Sequence, residues 1–174
     1  MKKVIFLLLV IISGFQVLAQ PVNIDSVRVN NCIPYMINKN ELIKSNILID
    51  SIVKTPSIMD AITADSLIFI GNTYLVYYKK DQICMLSSIV FDHKITDIQF
   101  NGNTISAKTT FEDLKRIFPD DCKETRPIHI YGDVNQYQAC DVGVADDQGN
   151  MWDMKILFFF LNNQLKRIDF WVPT

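Results

Sequence analysis

The C-terminal stretch DMKILFFFLNNQLKRIDFWVPT constrains the fold more than any other part of this chain. Read as a strand from Asp153 to Leu161, it sends Met154, Ile156, Phe158 and Phe160 to one side. Leu157, Phe159 and Leu161 go to the other. Both sides are apolar over the C-terminal half, which places the strand centrally in a sheet covered on both faces. A second strand follows the turn residues Asn162-Asn163-Gln164. In it Ile168, Phe170 and Val172 share a face, and Arg167, Asp169 and Trp171 take the opposite one. The phenylalanines are therefore expected in the core, and Trp171 is left over.

The N-terminus reads as an export signal. Lys2 and Lys3 precede an apolar run from Val4 to Ile12, and Val17-Leu18-Ala19 offers a cleavage position. The run is shorter than the roughly 20 residues a membrane span requires. Cleavage after Ala19 leaves residues 20–174 as one domain and no membrane span, with the periplasm or the exterior of a bacterium as the destination. Without Lys2 and Lys3, the 17 basic residues become 15 against 19 acidic ones. This weakly acidic chain has no Lys/Arg cluster, which excludes nucleic acid as the main partner. No Asn-x-Ser/Thr triplet is present.

The four cysteines, Cys32, Cys84, Cys122 and Cys140, all lie beyond the signal. An even number in an exported chain points to disulfides. The expected pairing is Cys122 with Cys140 across an irregular segment, and Cys32 with Cys84 by elimination; buried free thiols are the alternative. No CxxC spacing suggests a redox dithiol or a zinc site.

Between the termini, Asn38 and Glu41 match a capping box that opens a long helix to Lys54. Its apolar face carries Leu42, Ile43, Leu48, Ile49, Ile52 and Val53, and Thr55-Pro56 ends it. A helical turn is expected over Ser57–Ile62. The β-rich runs SLIFIG, TYLVYYKK and QICMLSSIVF follow, then a half-buried strand in KITDIQFNG with a tight turn at Asn101-Gly102. Thr109 and Glu112 open a short amphipathic helix whose stripe is Phe111, Leu114, Ile117 and Phe118, stopped by Pro119. A meander completes the chain. The expected fold class is α+β: an antiparallel sheet of about six or seven strands with one long and one short helix.

Signatures of catalysis are missing. His93 and His129 have no histidine at a ligand spacing, so a zinc enzyme is not indicated. No serine occupies a GxSxG elbow. Asp146-Asp147-Gln148-Gly149-Asn150 lacks the alternating acids of a calcium loop and reads as a hairpin turn. Nothing calls for a metal or a cofactor. The aromatic surplus is more informative. Tyr74 and Tyr78 share one strand face and Tyr77 the other, and Tyr77 with Trp171 and Arg167 forms a candidate partner-binding patch. The competing reading makes these residues core beneath the long helix.

The order of strand, Asn-Gly turn, TTFEDLKRIFP helix, cysteine loop and antiparallel meander over residues 94–172 resembles the small exported α+β proteins related to BamE/SmpA and the beta-lactamase inhibitor proteins. That resemblance implies a helix packed on a sheet that binds other proteins, without assigning any binding residue. The expected function is that of an exported, non-enzymatic binding protein of the cell envelope, an inhibitor, immunity factor or assembly accessory whose partner is another envelope or secreted protein. A small hydrolase with an unrecognised acid/base site and a lipid or small-ligand carrier are the alternatives.

Overall fold

A computed structural model describes residues 21–55 and 64–172. The expected signal over 1–19 and the helical turn over Ser57–Ile62 lie outside those residues. Along the chain run β1 (Val22–Asn23), a 3₁₀ turn (Ile24–Ser26), β2 (Arg28–Val29), β3 (Ile33–Pro34), β4 (Met36–Asn38), α1 (Lys39–Lys44) and β5 (Ser51–Lys54). The middle holds β6 (Ser66–Ile70), β7 (Thr73–Tyr78), β8 (Ile83–Val90), β9 (Asp97–Phe100), β10 (Asn103–Ser106) and α2 (Phe111–Ile117). Strands β11 (Arg126–His129), β12 (Gln136–Ala145), β13 (Met151–Leu161) and β14 (Gln164–Trp171) complete it.

The expected α+β class is therefore corrected. Among the described residues fourteen strands form a ten-stranded sheet and a four-stranded one, and the two α-helices are both short. The large sheet runs β1-β12-β13-β14-β8-β7-β6-β5, with β11 added to β12 and β4 to β8; the small one runs β10-β9-β2-β3. All pairings are antiparallel except β1 with β12.

The long helix fails at a single point. Asn38 caps α1 as expected, its side chain accepting the Asn40 N–H. Two residues past the last helical position, Asn46 turns to φ 60°, a left-handed conformation that ends helices. The apolar residues beyond it then follow their β-branched preference: Ile52 pairs with Ile68 and Val53 with Leu67. Helical periodicity had joined two segments of different kind.

Helix α2 forms where expected, with its start one residue later. Thr110, not Thr109, is the N-cap, and Asp113 closes the capping box. The Thr109 hydroxyl instead accepts the Ser106 N–H.

Turn chemistry sets the hairpins. Asn101 and Gly102 both have positive φ between β9 and β10, and Asn162 and Asn163 do so between β13 and β14, as tight hairpin turns require. At Gly71, between β6 and β7, φ is 61° and a Cβ would come within 2.0 Å of the Asp92 carboxylate. Only glycine fits there.

The main core lies between the inner face of the large sheet and the layer made by the small sheet and α2. Phe158 and Phe160 from β13 meet Phe100, Phe118 and Phe111 there, with ring centroids 5.7 to 6.0 Å apart. Phe159 and Leu157 point the other way, into a smaller cluster with Tyr137 and Ala139, flanked by Ile128 and Ile130. Both faces of β13 are thus apolar and buried over this stretch. No helix among the described residues is long and apolar enough to cross a membrane.

Candidate functional site

The second face of β13 positions the site. Register places Trp171 beside Lys155, Asp169 beside Leu157 and Arg167 beside Phe159. On the opposite flank Gly143, Asp141 and Ala139 of β12 face the same three β13 residues. These side chains share the outer face because their strands are antiparallel and in step. Strand β11 adds to the free flank of β12, setting Arg126 beside Ala139 and Ile128 beside Tyr137. The chain then continues through Ile130 and Tyr131 along the same face.

What results is a groove of about 780 Å³. Leu157 and Phe159 make its floor, Ile128, Ile130 and Tyr131 one wall, and Asp169 and Trp171 the other. Trp171 keeps 46% of its surface exposed, and Tyr131 is fully exposed. The turn beside the wall is tied by the Tyr137 hydroxyl, which donates to Asp133 at 2.7 Å. That hydrogen bond raises the tyrosine pKa and lowers that of the aspartate.

Charges flank the apolar floor in pairs. Arg167 is half-buried, and burial opposes its charge. Its Nε donates to Asp169 at 2.7 Å, and the net effect holds the guanidinium above its usual pKa. The same guanidinium lies 6.0 Å from the Phe159 ring centroid. Asp141 receives Lys155 and, at 3.4 Å, Arg126. The groove floor is therefore apolar, with the Arg167–Asp169 pair on one side and Asp141 shared by Lys155 and Arg126 on the other, three cations to two carboxylates.

The sequence-predicted residues divide between two faces. Trp171 and Arg167 belong to this outer face. Tyr77 does not: it is 6% exposed, lies in the inner-face core with Leu75 and Cys84, and carries the Lys39 ammonium 4.5 Å over its ring. The expected contact of Tyr77 with Trp171 is absent, because they emerge on opposite sides of the sheet. Nor is a long helix what buries Tyr77, since none forms over Ser45–Lys54. Tyr74, like Tyr78, lies on the outer face of β7. Its ring lies 5.7 Å from Phe69.

Cys122 and Cys140 are disulfide-bonded, as expected, with Cα atoms 5.5 Å apart. The Cys32–Cys84 bond is not formed. Cys32 is exposed and Cys84 is buried, both as free thiols. Pairing by elimination failed because Cys84 points into the core from β8 and Cys32 sits in the turn between β2 and β3. Burial pushes the Cys84 thiol up to about 11.

Sequence reasoning missed Ile128, Ile130 and Tyr131, which it placed in an irregular disulfide loop. The alternation in RPIHIY was the available signal. His129 lines the groove edge, with a ring nitrogen 3.5 Å from the Gln136 amide. The groove's carboxylate, Asp169, is engaged by Arg167 rather than by His129. Compared with known proteins, the chain matches no family model, no curated protein and no solved structure.

Proposed function

We propose that this is an exported, non-enzymatic binding protein that engages a partner protein of the envelope or secreted space through the outer-face groove. The observation that carries this reading is Trp171. A half-exposed tryptophan stands at the wall of an apolar floor, and further along the same face of β14, beyond Asp169, an arginine is held in place over Phe159. Tryptophan and arginine dominate binding energy at protein interfaces, particularly around a desolvated centre. The Cys122–Cys140 bond and the export signal support an oxidising destination. The order of elements over residues 94–172, which carries the resemblance to exported binding proteins, supports a partner-binding role as well.

The test places a photo-crosslinking residue at Tyr131, in the groove, and another at Lys108, outside it, in cells that export the protein. One partner captured from position 131 and not from 108, and lost when Trp171→Ala is added, is the expected result. Equal capture from both positions, or capture indifferent to Trp171, would refute the groove as the binding surface.

The groove volume also supports a second reading, as a carrier of apolar small molecules, since ligand sites commonly span about 300–1,000 Å³. Under that reading an apolar fluorophore should bind the protein and be released by Phe159→Ser. A protein partner that binds without competing with the fluorophore would argue for ligand carriage.

A further inference from the structure

Strands β6, β7 and β8 are apolar on both faces over most of their length. Ile68, Leu75 and Cys84 are buried on the inner face. The residues that alternate with them, Leu67, Phe69, Tyr74, Val76 and Met85, are all partly exposed. An antiparallel sheet with one solvated face normally turns polar residues outward. Here register gathers apolar ones into rows across the outer face. Val53, Leu67, Val76, Met85 and Met36 stand side by side on five strands. The ends of that row, Val53 and Met36, are 49% and 41% exposed. A second row runs through Phe69, Tyr74, Ser88, Asp169 and Leu157. It passes from this apolar face into the floor of the groove without a break. Between Asp169 and the β5 edge, no charged side chain of the described strands stands on this face. Lys54 is in register with Ser66 and Tyr77, on the inner side.

We infer that the partner held in the groove reaches over β14 onto this second face, and that it is a folded protein with a broad, uncharged apolar surface rather than a peptide confined to the groove. The inference rests on the reading of the groove as the partner surface. Area and continuity carry it. A standard interface takes about 800 Å² from each partner, a patch about 28 Å across. Strands lie about 4.8 Å apart, so β11 to β14, which hold the groove, span only about 14 Å. Continued through β8 and β7 to β6, the same face spans about 29 Å. Growth is open in that direction alone, because among the described residues β11 has no neighbour beyond β12. Contiguous apolar surface of this kind marks interaction sites. Each strand turns about 20° from the last, so the partner follows the face around instead of lying flat on it.

Photo-crosslinking residues at Tyr131 and at Val76, in cells that export the protein, should capture the same partner. Val76→Lys should cut capture from position 131 at least tenfold, since the interface would then bury an unpaired charge. Val53→Lys, at the exposed end of the row, should cut it several-fold, and near-UV circular dichroism should be unchanged in that variant. In the purified complex, hydroxyl-radical oxidation of Met36 should fall several-fold, while Cys32, exposed on the small sheet, stays as reactive as in the free protein. Capture from position 131 that is indifferent to both substitutions, with Met36 unprotected, would overturn this inference and leave the groove as the binding surface. Capture from neither position would remove both readings. Crosslinking of Val76 to a second copy of the chain, or to residues 56–63 of the same chain, would also overturn it.

Discussion

Replacing Phe158 by alanine tests the packing at the point where the two sheets meet. The side chain is fully buried. Its ring centroid lies 5.7 Å from that of Phe100 on the small sheet and 6.0 Å from that of Phe118 at the end of α2. Truncating a buried phenylalanine costs about 3–5 kcal/mol, from lost transfer energy and the cavity left behind. The aromatic contacts, each worth about 0.5–1.5 kcal/mol beyond their area, place Phe158 in the upper part of that range. Against a total stability of about 5–15 kcal/mol, a loss of about 4 is severe. At roughly 2–4 °C per kcal/mol for a chain of this size, it corresponds to a fall in Tm of about 8–16 °C. Phe159→Ala should cost less, about 2–3 kcal/mol, because its cluster is smaller and borders a groove that can close over the gap. Urea unfolding followed by near-UV circular dichroism measures both. A Phe158→Ala loss below about 1.5 kcal/mol, or one smaller than that of Phe159→Ala, would refute the assignment of Phe158 to the joint between the sheets.

The other predictions concern chemistry and local structure. Thiol titration without reductant should find one reactive group in the folded protein, Cys32, and two after unfolding as Cys84 becomes accessible; three or four would contradict the Cys122–Cys140 bond. Replacing both Cys122 and Cys140 by alanine should lower stability by about 3 kcal/mol through the loop entropy restored to the unfolded chain, measured by urea unfolding with the m-value fitted separately, since a looser unfolded chain raises it. Thr110→Ala removes the N-cap of α2 and should cost about 1 kcal/mol, whereas Thr109→Ala should leave helix capping intact. Acid should destabilise the protein. The carboxyls of Asp113, hydrogen-bonded by Thr110, and of Asp133, hydrogen-bonded by Tyr137, are held below their ordinary range. Their contribution is complete above the unfolded pKa near 4 and is lost as pH falls through the depressed folded values. Asp121, raised by burial, acts in the opposite direction. Thermal unfolding should therefore be flat from about pH 7 to 5 and fall below about pH 4; a Tm that rises on acidification to pH 3 would reverse the balance assigned here.

Local patterns settled several features without tertiary help. The two-sided apolar alternation of Leu157 to Phe160 placed β13 inside the sheet, because side chains that alternate direction must each find cover. The Asn-Gly and Asn-Asn turns and the stripe of α2 were equally legible, since their chemistry acts within a few residues. The spacing of Cys122 and Cys140 suited a local staple. Long-range placement decided the rest. Leu42 to Val53 satisfy a helical stripe, yet β6 offered Ile52 and Val53 a pleated edge, and Asn46 could adopt the turn that separates the two segments. The face on which Tyr77 emerges depends on the register of β7 against β8, which includes an irregularity between Tyr74 and Leu75. One residue of slip reverses a strand's faces, so composition could not pair Tyr77 with Trp171 or separate them. The groove itself exists only because β11 returns to the flank of β12, bringing Ile128 to a floor made by residues about thirty positions further along the chain. The sequence therefore determined which side chains need burial, and the sheet register decided which of them remain available to a partner.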